Sequence, residues 1–126
     1  MEQTLKTTLV QTDNIWEDID QNLMNLSGKL KEIEADTDMI ILPELFSTGF
    51  TMEAEGAAET MEGRGVQWML DMAKEKSCVL MGSLLIKEAG HYFNRMIVAF
   101  PDGTLKYYDK RHLFSFAGED RVFKAG

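Results

Sequence analysis

The most restrictive feature of this chain is a change of hydrophobic period between residues 15 and 43. Apolar side chains fall at Ile15, Ile19, Leu23, Leu26, Leu30 and Ile33. Steps of three and four trace one stripe along a helix. Glu17, Asp18, Gln21, Asn22 and Lys29 occupy the other face and are expected to meet water. Asp13 or Asn14 is the expected cap, with Glu17 in capping-box position after Asn14. Met39-Ile40-Ile41-Leu42 is then apolar at every position, which suits a strand covered on both faces. Pro43 ends it, because proline has no N–H for the ladder. A helix that feeds a doubly covered strand points to an α/β arrangement.

The rest of the chain extends the pattern. Leu5 to Gln11 reads as a first strand, with Leu5, Thr7 and Leu9 on one face. A loop of small and polar residues is expected from Ser47 to Gly65, with Gly63-Arg64-Gly65 as a helix entry. Val66, Met69, Leu70 and Ala73 predict a second amphipathic helix, ending near Lys74-Glu75-Lys76. Cys78 to Ile86 reads as a buried strand. Glu88-Ala89-Gly90 turns into a strand from Tyr92 to Phe100. Pro101-Asp102-Gly103 is a turn before a returning strand from Thr104 to Tyr108. The order β-α-β-α-β-β-β predicts a mixed sheet with helices on one face. No repeat, low-complexity tract or linker marks a second domain within the 126 residues.

Composition excludes several classes. The net charge of −8 and a sequence pI near 4.7 disfavour nucleic acid as a partner, since phosphate backbones need clustered Lys and Arg. No apolar run approaches the roughly 18 residues of a membrane span, and the first residues lack a signal-peptide pattern. One cysteine rules out an internal disulfide and suits a reducing compartment. The cytoplasm is the expected location, with no membrane partner.

Two residues stand where chemistry is often found. Glu44 directly follows the doubly covered strand, at the carboxyl end where α/β folds place functional groups. Burial would raise its pKa and suit it to general-base work, whereas an ordinary loop carboxylate would form a surface ion pair. Lys110 lies in Tyr107-Tyr108-Asp109-Lys110-Arg111-His112-Leu113-Phe114, after the last strand. A lysine held beside a carboxylate can stabilise an oxyanion, while a basic cluster at a strand end is usually only solvated. Cys78, beside Val79, Leu80 and Met81, reads as a packing residue. His91 and His112 lack ligand spacing, so no metal is expected.

Residues 39–50, Met39-Ile40-Ile41-Leu42-Pro43-Glu44-Leu45-Phe46-Ser47-Thr48-Gly49-Phe50, resemble the glutamate motif of the nitrilase, or carbon–nitrogen hydrolase, superfamily. Residues 107–114 are similar to its lysine motif. Met81-Gly82-Ser83-Leu84 and Tyr92-Phe93-Asn94-Arg95 also fit its strands. Phe46 to Phe50 and Ser115-Phe116-Ala117-Gly118-Glu119-Asp120 are most similar to the ω-amidase-like branch, which hydrolyses the terminal amide of short α-keto acid amides.

The resemblance implies an α-β-β-α sandwich and a Glu-Lys-Cys triad that needs no metal or organic cofactor. Glu44 matches the general base and Lys110 the oxyanion-stabilising lysine. Glu119 is similar to a second glutamate found near the site in several members. The family's nucleophilic cysteine lies beyond the lysine motif, and Cys78 precedes it, so the nucleophile role does not pass to Cys78. The chain is therefore expected to be the N-terminal half of such an enzyme, inactive alone and a homodimer as the full-length protein. The amide substrate would carry a carboxylate. Arg111 is a candidate cation for it, and Phe46 and Phe114 are either apolar walls of the pocket or core residues. Two other readings remain: a non-catalytic interaction module with half of the fold, and a plain α/β domain. The last requires Glu44 and Lys110 to lie far apart.

Overall fold

A computed structural model describes residues 2–126. It contains a five-stranded sheet formed by β1 (Thr7–Leu9), β2 (Met39–Ile41), β3 (Val79–Glu88), β4 (His91–Ala99) and β5 (Leu105–Asp109). Spatial order follows chain order. β1, β2 and β3 are mutually parallel, while β3, β4 and β5 form an antiparallel meander. The mixed α/β sheet predicted from the sequence is what forms. Each parallel step needs a helical crossover, which α1 (Ile19–Lys31) and α3 (Arg64–Lys76) supply. The β3–β4 hairpin turns on Ala89 and Gly90, both with positive φ, as a two-residue turn of matching twist requires.

The two long helices cover one face. Leu26 and Leu30 from α1, Val66, Met69 and Ala73 from α3, and Ile40, Leu80, Leu84 and Ile97 from the strands form one buried cluster. Alternation along β3 sends Val79, Met81, Ser83 and Leu85 to the opposite face. There a smaller cluster joins Leu45, Leu85 and Phe123 with Ala54 and Ala57 of the short α2 (Ala54–Ala57). The remainder of that face carries Ile41 and Met81 half-buried and Leu9 74% exposed.

Several boundaries differ from the sequence reading. The first strand is confined to Thr7–Leu9, because the edge of the sheet buries only one side of it. The first helix starts at Ile19, not near Ile15. Asp18 caps it by accepting from the Gln21 N–H, and Glu17 before it has φ of 60°. Asn22 was expected to face water but is buried. Its side chain bonds both the N–H and C=O of Ile15 and the C=O of Ser47, so it ties the approach to α1 onto the loop after β2. The expected loop 47–65 includes α2 and a bridge between Glu59 and Ile86. The Glu59 carboxylate then reaches the N–H groups of Gly65 and Val66, so a residue before the helix caps α3.

Candidate active site

The turn after β2 aims three consecutive side chains in three directions. The N–H of Leu42 still bonds Met81 O, which continues the pairing with β3. Leu45 then adopts φ of 48°, a left-handed conformation that costs a branched residue roughly 1–3 kcal/mol. Its N–H donates to Ser83 Oγ at 2.8 Å, and the Phe46 N–H donates to Ser83 O. Held this way, Leu45 enters the smaller cluster, Phe46 enters the helix-side core, and Glu44 projects at the strand ends.

Lys110 arrives from the other edge of the sheet. The Lys110 N–H bonds Asn94 O at 2.9 Å, which extends the β4–β5 ladder by one residue. Asp109 before it is clamped by the buried Arg95, whose guanidinium donates to both Asp109 oxygens at 2.6 and 3.0 Å and pairs with Glu88. Phe93 and Tyr107 flank that guanidinium. The hydrogen bonds that Arg95 donates to Asp109 and Glu88 outweigh burial and hold it above its ordinary pKa. The strand end that carries Lys110 is therefore tied down by ion pairs around the buried Arg95 guanidinium.

The two motif residues converge. Lys110 Nζ lies 2.8 Å from Glu44 Oε1, although 66 positions separate them in the chain. Glu119, the first residue of α4 (Glu119–Val122), joins them with no exposure at all. Its carboxylate lies 3.0 Å from Lys110 Nζ and accepts the Phe114 N–H at 2.6 Å. Asn94 completes the cluster: its Nδ2 donates to Glu44 Oε1 at 2.8 Å and to Glu119 Oε2 at 3.1 Å.

Charge states follow from these contacts. Burial works against the Lys110 ammonium, but Glu44 and Glu119 outweigh it and raise its pKa above the ordinary lysine value. Burial likewise works against the Glu119 carboxylate, but the Phe114 N–H, Asn94 and Lys110 hold its carboxyl below the usual range. The directions agree, so the pair is ionised at neutral pH. Glu44 was expected to be buried, yet its side chain is 49% exposed in this chain. One cation between two carboxylates has three N–H donors, and two are engaged. The third remains available for an oxygen that develops charge.

Two adjoining cavities open on this cluster. An inner one of about 290 Å³ is lined by Glu44, Ser83, Asn94, Met96, Tyr108 and Lys110. An outer one of about 700 Å³ is lined by Glu44, Lys110, Phe50, His112, Leu113, Phe114 and Ala117. Phe114 thus stands at the site. Phe46 does not: it is fully buried against Trp68, at 5.6 Å between ring centroids, on the helix side of the sheet. Arg111 is exposed and lines neither cavity. Cys78 is buried in the helix-side core, and burial raises its thiol pKa. It also lies five strand positions from Ser83, about 16 Å along the sheet. The sequence reading missed Asn94, Phe50 and His112 as site residues. The signal for Asn94 was present, since Asn94-Arg95 is a polar pair inside an otherwise apolar strand.

The meeting of Glu44 and Lys110 excludes the plain α/β reading and defines a class. A family model for carbon-nitrogen hydrolases matches residues 6–125, and the chain belongs to that family. Among its relatives, omega-amidase YafV of Escherichia coli (strain K12) is 38% identical over 97% of this chain and 47% of its own length. The 2-oxoglutaramate amidase of Bacillus subtilis (strain 168) is 27% identical over 84% of this chain and 42% of its own. The chain therefore spans about half the length of the curated relatives it matches. The crystal structure of XC1258 from Xanthomonas campestris, a CN-hydrolase superfamily protein with an arsenic adduct in the active site, superposes with a TM-score of 0.93. It shares 38% identity and covers 97% of this chain and 46% of that one. Among the described residues, no helix is long and apolar enough to cross a membrane.

Proposed function

We propose that the protein carrying this chain hydrolyses the carbon–nitrogen bond of a small amide, the terminal amide of a short keto acid amide. Glu44 and Lys110 act together with a cysteine that is not among these 126 residues, and the chain alone is inactive. The observation that carries the reading is the 2.8 Å contact between Lys110 Nζ and Glu44 Oε1 at the rim of two cavities.

A free thiol has a pKa of about 8.5 and is mostly protonated at neutral pH. Glu44 accepts the thiol proton as sulfur attacks the amide carbon. Negative charge grows on the amide oxygen, where the third N–H of Lys110 meets it. Glu44 returns the proton to the departing nitrogen, ammonia leaves, and a thioester remains. Glu44 next takes a proton from water, whose oxygen attacks the thioester carbon. Glu44 passes that proton to the departing sulfur, so the acid is released and both the thiol and the Glu44 carboxylate are restored. Phe50 and Phe114 supply apolar walls at the outer cavity. His112, rather than Arg111, is the further basic side chain that borders it.

The half-buried apolar surface at Ile41 and Met81, next to exposed Leu9, supports a longer protein in which more chain covers this face. The full-length protein is read as a homodimer in the cytoplasm. Ammonia release from a keto acid amide by the full-length protein is the test. Glu44→Gln should lower kcat/KM by about 10²–10⁴ with little loss of stability, because general acid–base groups contribute on that scale. Full activity in that variant would overturn the general-base role. Turnover by the isolated 126-residue chain would overturn its inactivity.

A further inference from the structure

We propose that Asn94 is a positioning residue, whose amide pins Glu44 Oε1 and so assigns proton transfer to Glu44 Oε2. The proposal rests on the amidase reading above and adds to it the choice of oxygen and the group that makes the choice.

Both donors of the Asn94 amide are engaged, one by Glu44 Oε1 at 2.8 Å and one by Glu119 Oε2 at 3.1 Å. The orientation of the amide is set by its surroundings. Turned over, it would present Oδ1 to two carboxylates. Glu44 Oε1 therefore receives two donors, Asn94 Nδ2 and Lys110 Nζ, each at 2.8 Å. No donor among the described residues reaches Glu44 Oε2. A carboxylate oxygen with two charge-assisted or dipolar donors is the weaker base of its pair. The other oxygen carries neither of these donors and stays free to meet the thiol and the water.

Asn94 also governs the lysine. Its backbone C=O accepts the Lys110 N–H at 2.9 Å, so one residue fixes the base and the backbone of the oxyanion donor together. It is itself only 3% exposed on a strand paired on both sides, and its amide is held by two carboxylates. A half-exposed glutamate held by Lys110 alone would turn about its last torsion, which is broad. The charged groups that face Glu44 are Lys110 after β5 and Glu119 from α4, and Tyr108 and His112 border the same cavities.

Three variants of the full-length protein separate positioning from packing: Asn94→Leu removes the donors at similar size, Asn94→Asp keeps the shape but reverses the polarity, and Asn94→Ser keeps one donor. Carbon-13 NMR titration of the Glu44 carboxyl, assigned by its loss in Glu44→Gln, needs no turnover. The pH profile of kcat/KM reports the same group through its acid limb. In Asn94→Leu both should move upward, since a donor to the charged form has been lost. Asn94→Asp should move them further and Asn94→Ser less. In Asn94→Leu kcat should fall by about 10- to 100-fold while KM changes by less than about threefold. An unchanged Glu44 titration in variants that fold, with or without a fall in kcat, overturns the proposal. Absence of amide hydrolysis in the unmutated protein would overturn the functional reading instead, and the NMR titration would still decide the role of Asn94.

Discussion

Replacing Lys110 by Met keeps most of the aliphatic stem and deletes the ammonium. The Glu44 half of the contact contributes little to stability, since that side chain is 49% exposed and pairs of this kind are worth about 0.2–1 kcal/mol. The Glu119 half differs, because that carboxylate is wholly buried. Stripping the partner from a buried pair costs about 3–5 kcal/mol when nothing replaces it. Glu119 retains the Phe114 N–H and Asn94, and Lys110 is 30% exposed, so roughly 1–3 kcal/mol is expected at neutral pH. The loss depends on pH with a definite sign. The folded-state pKa of Glu119 is depressed, so its contribution is complete above the unfolded value of about 4.3 and vanishes as pH falls through the lower folded value. In Lys110→Met, burial is opposed by fewer groups and the Glu119 carboxyl titrates higher. The difference between the two proteins should therefore be widest at neutral pH and narrow towards about pH 4. Urea unfolding of the full-length protein at both pH values measures it, and Glu119→Gln added to Lys110→Met should recover part of the loss. An equal deficit at both pH values, or none at either, would refute the reasoning. Under the proposed mechanism, activity should fall by about 10²–10³ in the same variant, the scale on which an oxyanion donor contributes.

Three further outcomes follow from packing. Gly82→Ala should destabilise by about 1–3 kcal/mol, because a Cβ there would stand 2.8 Å from Phe46 Cδ1 and 2.9 Å from Leu42 Cβ. A urea midpoint within error of the unmutated protein would show that the strand shifts freely. Gly65→Ala would put a Cβ 2.7 Å from Glu59 Oε2 and expel the carboxylate that caps α3, at about 1 kcal/mol. Glu59→Ala should cost a similar amount, and the double variant should cost less than the sum, which a double-mutant cycle reads directly. Cys78→Ala should leave kcat/KM unchanged, and a thiol reagent should label Cys78 only as the protein unfolds, since the side chain is 3% exposed. Rapid labelling of the folded protein would contradict its place in the core.

Much of the scaffold was legible in local pattern. The stripe through Leu23, Leu26 and Leu30 gave α1, the run 39–42 gave β2, and Ala89-Gly90 and Pro101-Asp102-Gly103 gave the meander. These signals are local because periodicity and turn chemistry belong to neighbouring residues. The start of α1 was misplaced because Asn14 and Glu17 satisfy a capping box on paper. In the fold Asn22 instead holds Ile15 against the loop at Ser47. That competition involves a residue 25 positions away and leaves no trace in the local pattern.

For the site, the sequence by itself determined which carboxylate and which ammonium to suspect, through Glu44 and Lys110 in their motifs. Only the tertiary structure decided that they touch. It also put Phe46 behind the sheet, left Arg111 outside both cavities and brought Asn94 between two acids. A side chain's face depends on the left-handed turn at Leu45 and on the registry of β4 with β5. Contacts across the sheet fix both, and spacing along the chain cannot encode them.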